Sequence, residues 1–115
     1  NFKNLNIIDP LGYLEFNFLV ERSKAVITDS GGITEETTVM NIPCITLRDN
    51  TERPETIEIG TNELIGSDTK LIAPYLKKLF EGKWKNGLSP QLWDGKSANR
   101  IVNYLIEKIL IDDTI

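Results

Sequence analysis

The stretch AVITDSGGITEE, residues 25–36, decides the fold of this chain. Its first four residues are mostly β-branched, as in a buried strand, and a polar turn ending in Gly31 and Gly32 follows them. A helix is predicted over residues 33–41, directly after the glycines. A strand that leads through a glycine-rich turn into a helix is typical of a parallel sheet whose strands are connected by helices.

Strands and helices alternate along the rest of the chain as well. Hydrophobic patterning predicts further strands over residues 5–8, 44–47 and 62–65. It predicts further helices over residues 13–24, over residues 54–59, within residues 67–82 and over residues 98–109. This alternation predicts an α/β fold, doubly wound, with a mostly parallel sheet that binds ligands beyond the carboxyl ends of its strands.

Three residues are expected to shape the ends and the course of the last two helices. Asp68 and Ser97 are the predicted caps of these helices. Pro74 lies within the first of them, where a proline is a common cause of a kink. The intervening residues 83–95 contain two tryptophans without a helical period, and a loop is predicted there.

Length and charge restrict what the chain can do. One domain, residues 1–115, fits this length, and no apolar run approaches the roughly 20 residues that span a bilayer. A net charge of −4 argues against nonspecific nucleic-acid binding, so any phosphate group has to be held locally. We therefore expect neither a nucleic-acid nor a membrane partner.

The sequence contains no histidine and one cysteine. Without histidine the chain lacks the side chain most often used for proton transfer at neutral pH, which is also the commonest metal ligand. A self-contained hydrolase is therefore not expected, and neither a cofactor nor a metal is expected. Cys44, within the apolar run IPCITL, is interpreted as a small buried hydrophobe, and a reducing cytoplasm is the natural compartment.

The turn Ser30-Gly31-Gly32 has two interpretations. At the amino end of a helix, free N–H groups and the helix dipole favour an anion, and residues without Cβ let a phosphate reach the backbone. The serine hydroxyl can add a further donor. Alternatively, the two glycines form a tight turn and Asp29 or Ser30 caps the helix, because short glycine-rich turns are weak motifs.

The two adjacent glutamates are predicted to have different roles. If Gly32 is the helix cap, Glu35 is the third helical residue, whose side chain folds back onto free backbone N–H groups. Glu36 is then free to accept hydrogen bonds from two ribose hydroxyls, as acidic residues do in dinucleotide sites. A diphosphate at the turn and a ribose at Glu36 together describe a nucleotide diphosphate.

A polar loop, residues 48–55, follows the next predicted strand and opens on the same edge of the sheet. It carries Arg48 and Arg53, whose planar guanidinium groups suit a diphosphate or a carboxylate. Ion pairs with the acidic residues of the same loop are the alternative, and such exposed pairs contribute under about 1 kcal/mol to stability.

Three segments in this order and spacing, DPLGYLEF, TDSGGITEE and RDNTERPE, strongly resemble the carboxyl-terminal half of the non-hydrolysing UDP-N-acetylglucosamine 2-epimerases. The resemblance runs from about residue 6 to the final helix, where DGKSANRI resembles the closing motif of the family. It implies a glycosyltransferase-B-like fold of two Rossmann-like halves, with the nucleotide in the cleft between them. It also implies interconversion of UDP-N-acetylglucosamine and UDP-N-acetylmannosamine through elimination and re-addition of UDP.

The resemblance assigns roles to residues of this chain position by position. Ser30, Gly31 and Gly32 correspond to the turn that holds the diphosphate. Glu36 corresponds to the ribose ligand, and Arg53 to an arginine that reaches the nucleotide sugar.

The resemblance also implies a uracil pocket, lined by the backbone of Leu11 and by Phe16. This role accounts for an aromatic residue that lies off the apolar stripe of its predicted helix. The catalytic carboxylates and histidine of the family belong to upstream segments, in agreement with the missing histidine. We therefore expect this chain to be a carboxyl-terminal nucleotide-binding domain that binds the nucleotide and does not catalyse, the catalytic amino-terminal domain being absent.

The resemblance also implies the binding partners and the cellular location of the complete protein. The complete protein is expected to be a cytoplasmic homodimer that binds UDP-N-acetylglucosamine and UDP in the synthesis of cell-surface polysaccharide. A stand-alone nucleotide-binding regulatory module and a 2-epimerase for a different UDP-sugar are the alternatives. Since the closing helix of this fold usually packs on the first domain, its apolar stripe is expected to lack cover in this chain.

Overall fold

The computed structural model describes residues 2–112. Its strands are β1 (Val26–Thr28), β2 (Cys44–Thr46) and β3 (Asn62–Leu64). Its helices are α1 (Tyr13–Arg22), α2 (Gly31–Met40), α3 (Glu55–Glu58), α4 (Ile72–Phe80) and α5 (Ser97–Asp112), and a 3-10 turn, Thr69–Leu71, leads into α4.

The three strands form one parallel sheet in the order β1-β2-β3. Thr28, Thr46 and Leu64 are aligned at the last position of their strands, so all three carboxyl ends lie at the same edge. Every residue of β2 is buried, which means that both faces of the sheet are covered at its centre. The predicted α/β class, with a doubly wound parallel sheet, is confirmed.

Threonine side chains form much of the contact between α2 and the sheet. Thr34, Thr37 and Thr38 are at most 3% exposed. The hydroxyls of Thr37 and Thr38 donate to the carbonyl oxygen of Thr34 at 3.1 and 2.8 Å. Because these hydroxyls are hydrogen-bonded, burying them avoids the cost of an unsatisfied polar group. Gly60 packs against this face, where a Cβ would lie 2.7 Å from Thr38 Oγ1.

Residues 5–8 do not form the predicted strand. They pair with no strand among the described residues, and the side chains of Leu5, Ile7 and Ile8 are 62%, 89% and 61% exposed. An apolar run becomes a strand only where a neighbouring strand satisfies its backbone groups and packing covers its side chains. β1 is therefore an edge strand of the described sheet.

The first two helices differ from the prediction at their ends. α1 ends at Arg22 because Ser23 turns out of the helix and donates its N–H and its hydroxyl to the carbonyl of Val20, at 3.0 and 2.8 Å. α2 begins at Gly31, so Ser30 and not Gly32 occupies the cap position. Neither glycine of the turn has a positive φ, and both continue into the helix without strain.

The last two helices are found where the sequence predicts them. The carboxylate of Asp68 accepts a hydrogen bond from the N–H of Lys70 at 3.0 Å, as expected for a cap. Pro74 lies in the first turn of α4, where a missing N–H costs no intrahelical hydrogen bond. α5 begins at Ser97, so Ser97 is its first residue and not the predicted cap, and the helix extends to Asp112. No helix among the described residues is long and apolar enough to cross a membrane.

Candidate functional site

Two spaces share Glu35 and Arg53 in their lining, and the first of them lies beyond the carboxyl ends of β1 and β2. The first, which we call the glycine cavity, has a volume of about 340 Å³ and is lined by Gly31, Gly32, Thr34, Glu35, Thr46, Arg48, Asn50, Thr51, Glu52 and Arg53. The second, the acidic groove, has a volume of about 920 Å³ and is lined by Tyr13, Glu35, Glu36, Val39, Met40, Arg53, Glu55, Trp93, Asp94 and Gly95. The glycine cavity therefore lies at the edge at which parallel sheets bind ligands.

The amino end of α2 forms the floor of the glycine cavity. Ser30, at the cap position, makes no capping hydrogen bond with its side chain, and its N–H donates to Thr28 Oγ1 at 3.0 Å. A Cβ built on Gly31 or Gly32 would meet no atom within 4 Å. The space above these glycines is therefore open, so an anion can approach the first N–H groups of the helix, which lack intrahelical acceptors.

Glu35 does not have the capping role predicted for it. With the cap at Ser30, Glu35 is the fifth residue of α2, too far along to fold back onto the first N–H groups. Its carboxylate instead accepts a hydrogen bond from Arg53 Nε. This hydrogen bond and the charge of Glu35 raise the pKa of the Arg53 guanidinium group.

The two arginines of the loop differ in their partners. Arg53 is paired with Glu35, outside the loop, and its Nη1 donates to the carbonyl oxygen of Glu52 at 3.2 Å. The side chain of Arg48 makes no hydrogen bond or ion pair with any residue from 2 to 112. The alternative of ion pairs with acidic residues of the loop is therefore wrong for both, and Arg48 brings a positive charge without a direct ion-pair partner to the glycine cavity.

A buried chain of hydrogen bonds fixes the backbone of Arg53. Thr46 Oγ1 donates to Asn62 Oδ1 at 2.6 Å, and Asn62 Nδ2 donates to Thr56 Oγ1 at 3.2 Å. Thr56 Oγ1 in turn donates to the carbonyl oxygen of Arg53 at 2.8 Å. Thr46, Thr56 and Asn62 are at most 2% exposed. Sequence reasoning missed these residues, although an asparagine at the start of a buried strand was a signal that polar partners lie nearby.

Glu36 lines the acidic groove, and its carboxylate makes no hydrogen bond or ion pair with the part of the chain that the structure describes. Tyr13 and Trp93 contribute aromatic surface to the same groove. A carboxylate without a protein partner, beside aromatic surface, can accept hydrogen bonds from the hydroxyls of a bound ribose. Within residues 2–112 no cluster of three or more acidic or cysteine side chains suits a metal ion.

The predicted uracil-pocket residues lie apart from both spaces. Leu11 lines an apolar cavity of about 430 Å³ next to α1. Phe16 lines another, of about 360 Å³, together with Val26, Thr28 and Ile33. The structure thus brings Gly31, Gly32 and Arg53 together in one cavity and Glu36 and Arg53 in the other, whereas Leu11 and Phe16 each line a cavity of their own.

Residues 1–106 match the family described as UDP-N-acetylglucosamine 2-epimerase. This chain belongs to that family. The UDP-N-acetylglucosamine 2-epimerase of Methanocaldococcus jannaschii is 45% identical over 105 residues, which are 90% of this chain and 28% of that protein. The UDP-2,3-diacetamido-2,3-dideoxy-D-glucuronate 2-epimerase of Pseudomonas aeruginosa is 37% identical over 101 residues, which are 88% of this chain and 28% of that protein.

Solved structures of 2-epimerases have the same fold. The crystal structure of the M. jannaschii enzyme in complex with UDP-N-acetylglucosamine and UDP superposes with a TM-score of 0.75 at 44% identity. The match covers 92% of this chain and 29% of that one. The Rossmann-like, glycosyltransferase-B-like class expected from the resemblance is therefore confirmed. This chain spans less than a third of the length of the 2-epimerases it matches.

Proposed function

We propose that this chain is the UDP-binding part of an epimerase that interconverts UDP-N-acetylglucosamine and UDP-N-acetylmannosamine. One observation carries the proposal: the open amino end of α2 lies in one cavity with two arginines, and the unpaired carboxylate of Glu36 lies in the adjoining groove. A diphosphate and a ribose, joined as in UDP, match these two spaces in charge and hydrogen bonding.

The named substrates of the relatives support the UDP part of this proposal. The M. jannaschii and P. aeruginosa proteins are named for different amino sugars, and both sugars are carried on UDP. Both proteins match this chain along nearly its whole length. A chain that matches both proteins is expected to bind the part that the two substrates share, which is UDP. The P. aeruginosa relative also makes a 2-epimerase for another UDP-sugar the second candidate function.

Each predicted site residue has a place in this proposal. Ser30, Gly31 and Gly32 hold the diphosphate with backbone N–H groups and a hydroxyl, Arg53 neutralises its charge, and Glu36 accepts hydrogen bonds from the ribose. The open surface above the glycines and the missing partners of Ser30 Oγ and Glu36 within residues 2–112 support these roles.

The uracil is assigned to Leu11 and Phe16 because of the family resemblance. The apolar cavity at Phe16 supports this assignment, since Thr28 and Ile33, which line it, lie close in sequence to the turn at Ser30. A flat, mostly apolar base is a suitable occupant for a cavity of this kind.

The proposal extends to the complete protein. We propose that residues 1–115 form its carboxyl-terminal nucleotide-binding domain, and that an amino-terminal domain supplies the catalytic acids and the histidine that this sequence does not contain. The complete protein is proposed to be a cytoplasmic homodimer in cell-surface polysaccharide synthesis.

Hydrogen exchange at C2 of the sugar tests this division of labour. In heavy water, the complete protein should exchange the C2 hydrogen of UDP-N-acetylglucosamine, because the epimerase breaks and remakes that bond. The 115-residue chain alone should bind UDP without catalysing exchange, because it lacks histidine. Exchange activity that co-purifies with the 115-residue chain through successive steps would show that catalysis belongs to this part of the protein.

A further inference from the structure

We propose that Glu35 is a positioning residue, which holds the guanidinium group of Arg53 in the orientation that binds the diphosphate of a nucleotide. The inference rests on the proposed function, because it takes the diphosphate as the ligand of Arg53. It gives a role to the one glutamate of the adjacent pair that is neither a helix cap nor a ribose ligand.

The contact between Glu35 and Arg53 uses one side of the guanidinium group and leaves another side open. Arg53 Nε donates to Glu35 Oε1, and Nη1 donates to the carbonyl oxygen of Glu52 at 3.2 Å. Nη2 has no hydrogen-bond partner within residues 2–112. Since a guanidinium group carries five N–H donors in a fixed plane, holding Nε also sets the direction of the two donors on Nη2.

The ion pair lies where a diphosphate and a ribose would meet. Glu35 and Arg53 line both the glycine cavity and the acidic groove, and their paired side chains form the wall between the two spaces. Gly31 and Gly32 are on one side of this wall and Glu36 is on the other. An arginine held in the wall is within reach of a diphosphate at the glycines whose ribose lies beside Glu36.

The backbone of Arg53 is fixed without help from Glu35. Its carbonyl oxygen accepts from Thr56 Oγ1 at 2.8 Å, and its N–H donates to Thr51 Oγ1 at 3.1 Å. The remaining freedom is that of a long side chain, 49% exposed, with several rotatable bonds. A ligand that has to immobilise such a side chain loses affinity, and a partner that immobilises it beforehand removes that cost.

The carboxylate of Glu35 would also repel a diphosphate, so positioning and repulsion predict opposite results. If Glu35 only repels, its removal tightens UDP binding; if it positions Arg53, its removal weakens binding. Glu52 is the matched control, because it lines the same cavity and carries the same charge. Its carboxylate makes no hydrogen bond or ion pair with Arg53, whose Nη1 donates to the backbone carbonyl of Glu52.

Titration calorimetry with UDP at constant ionic strength separates these roles. Glu35→Ala should weaken binding about two- to fivefold, the range expected for an exposed ion pair. Glu52→Ala should leave binding unchanged or tighter. In an Arg53→Ala background, Glu35→Ala should cause no further weakening, because no guanidinium group remains to be held. Further weakening in that background, or a Glu35→Ala variant that binds at least as tightly as the unsubstituted protein, would overturn the inference.

Heteronuclear NMR of the arginine Nε–H groups tests the same contact without any ligand. The Nε–H signal of Arg53, identified by its loss in Arg53→Ala, should be visible in the unsubstituted protein and in Glu52→Ala. It should shift or disappear in Glu35→Ala, because exchange with water is no longer slowed by the carboxylate. If UDP fails to bind the unsubstituted protein, the proposed function is wrong. If the Nε–H signal of Arg53 is the same in Glu35→Ala as in the unsubstituted protein, Glu35 does not position Arg53.

Discussion

Ser30, at the cap position of α2, and Glu36, in the middle of the helix, are proposed to bind the ligand because neither side chain has a partner among the described residues. Ser30 occupies the cap position without a capping hydrogen bond, and Glu36 has no hydrogen bond or ion pair within residues 2–112. A polar group without a protein partner can hydrogen-bond to a ligand without first breaking a hydrogen bond within the protein. At the scale of single residues, these two therefore carry the clearest prediction for binding.

Ser30→Ala and Glu36→Ala should each weaken UDP binding by about 1–3 kcal/mol, the cost of leaving a charged or buried partner unpaired. Glu35→Ala should cost less, because Glu35 acts only through Arg53. Titration calorimetry measures the losses, and Glu58→Ala is a control, since Glu58 is exposed on α3 and lines neither space of the site. A larger loss for Glu35→Ala than for Glu36→Ala would mean that the ribose ligand is misassigned.

Cys44 should resist alkylation in the folded protein. Its side chain is fully buried, and burial raises the pKa of its thiol, so the reactive thiolate is scarce. The stability contributed by the neutral thiol is complete below the pKa of the unfolded chain and is lost as the pH rises through the higher folded pKa. Mass spectrometry after iodoacetamide treatment at neutral pH should show slow labelling, and fast labelling in denaturant. Equal rates would mean that β2 opens readily.

Residue types and spacing lead to the glycines, Glu36 and the arginines of the loop as candidates, but they do not predict the partner of Glu35. That partner depends on where α2 begins. A cap at Gly32 would make Glu35 the third helical residue, within reach of the first N–H groups, and the observed cap at Ser30 makes it the fifth. A shift of two residues in a helix start lies within the usual uncertainty of helix ends, and it changes the role of the side chain.

At the scale of elements, the three strands of the sheet are predictable because each β-branched or apolar run has a neighbour. Residues 5–8 have the same apolar character and stay irregular, since the described residues offer them no strand to pair with. Local composition cannot distinguish these cases, because a strand is defined by its partner. The core is also more polar than the patterning suggests, with hydrogen-bonded threonines at positions usually occupied by aliphatic residues.

Asn62→Leu should destabilise the protein, because Asn62 joins β2, β3 and α3 through its amide group. The substitution removes the acceptor of Thr46 Oγ1 and the donor to Thr56 Oγ1, two buried hydroxyls. We expect a loss of about 1–3 kcal/mol in the free energy of unfolding. Urea unfolding followed by circular dichroism measures it, with Asn86→Leu as a control at an exposed position. A midpoint equal to that of the unsubstituted protein would show that the chain of hydrogen bonds contributes nothing.

At the scale of the whole molecule, the chain is too extended for its length. Its radius of gyration is 18.7 Å, and its longest dimension is 71 Å. A compact domain of this size has a radius of gyration of about 13 Å. α5 contributes to the excess, because its apolar face is between 50% and 59% exposed at Ile101, Val102, Leu105, Ile106 and Ile109. Close to this face, the start of the helix is held by Arg100, which donates to the Asp94 carboxylate and to the Leu92 carbonyl.

The exposed apolar face of α5 should affect the association state and the hydrogen exchange of the 115-residue chain. An apolar face of this size in water normally finds a partner, so we expect the chain to self-associate through α5 or to show low hydrogen-exchange protection from Ser97 onward. Sedimentation equilibrium and hydrogen exchange measure the two outcomes, and Leu105→Asp should reduce any association whereas Glu107→Ala should not. A chain that stays monomeric at high concentration, with α5 as well protected as β1, would mean that α5 packs against the core of this domain. In that case the open face would not be a surface for a further domain or a second copy.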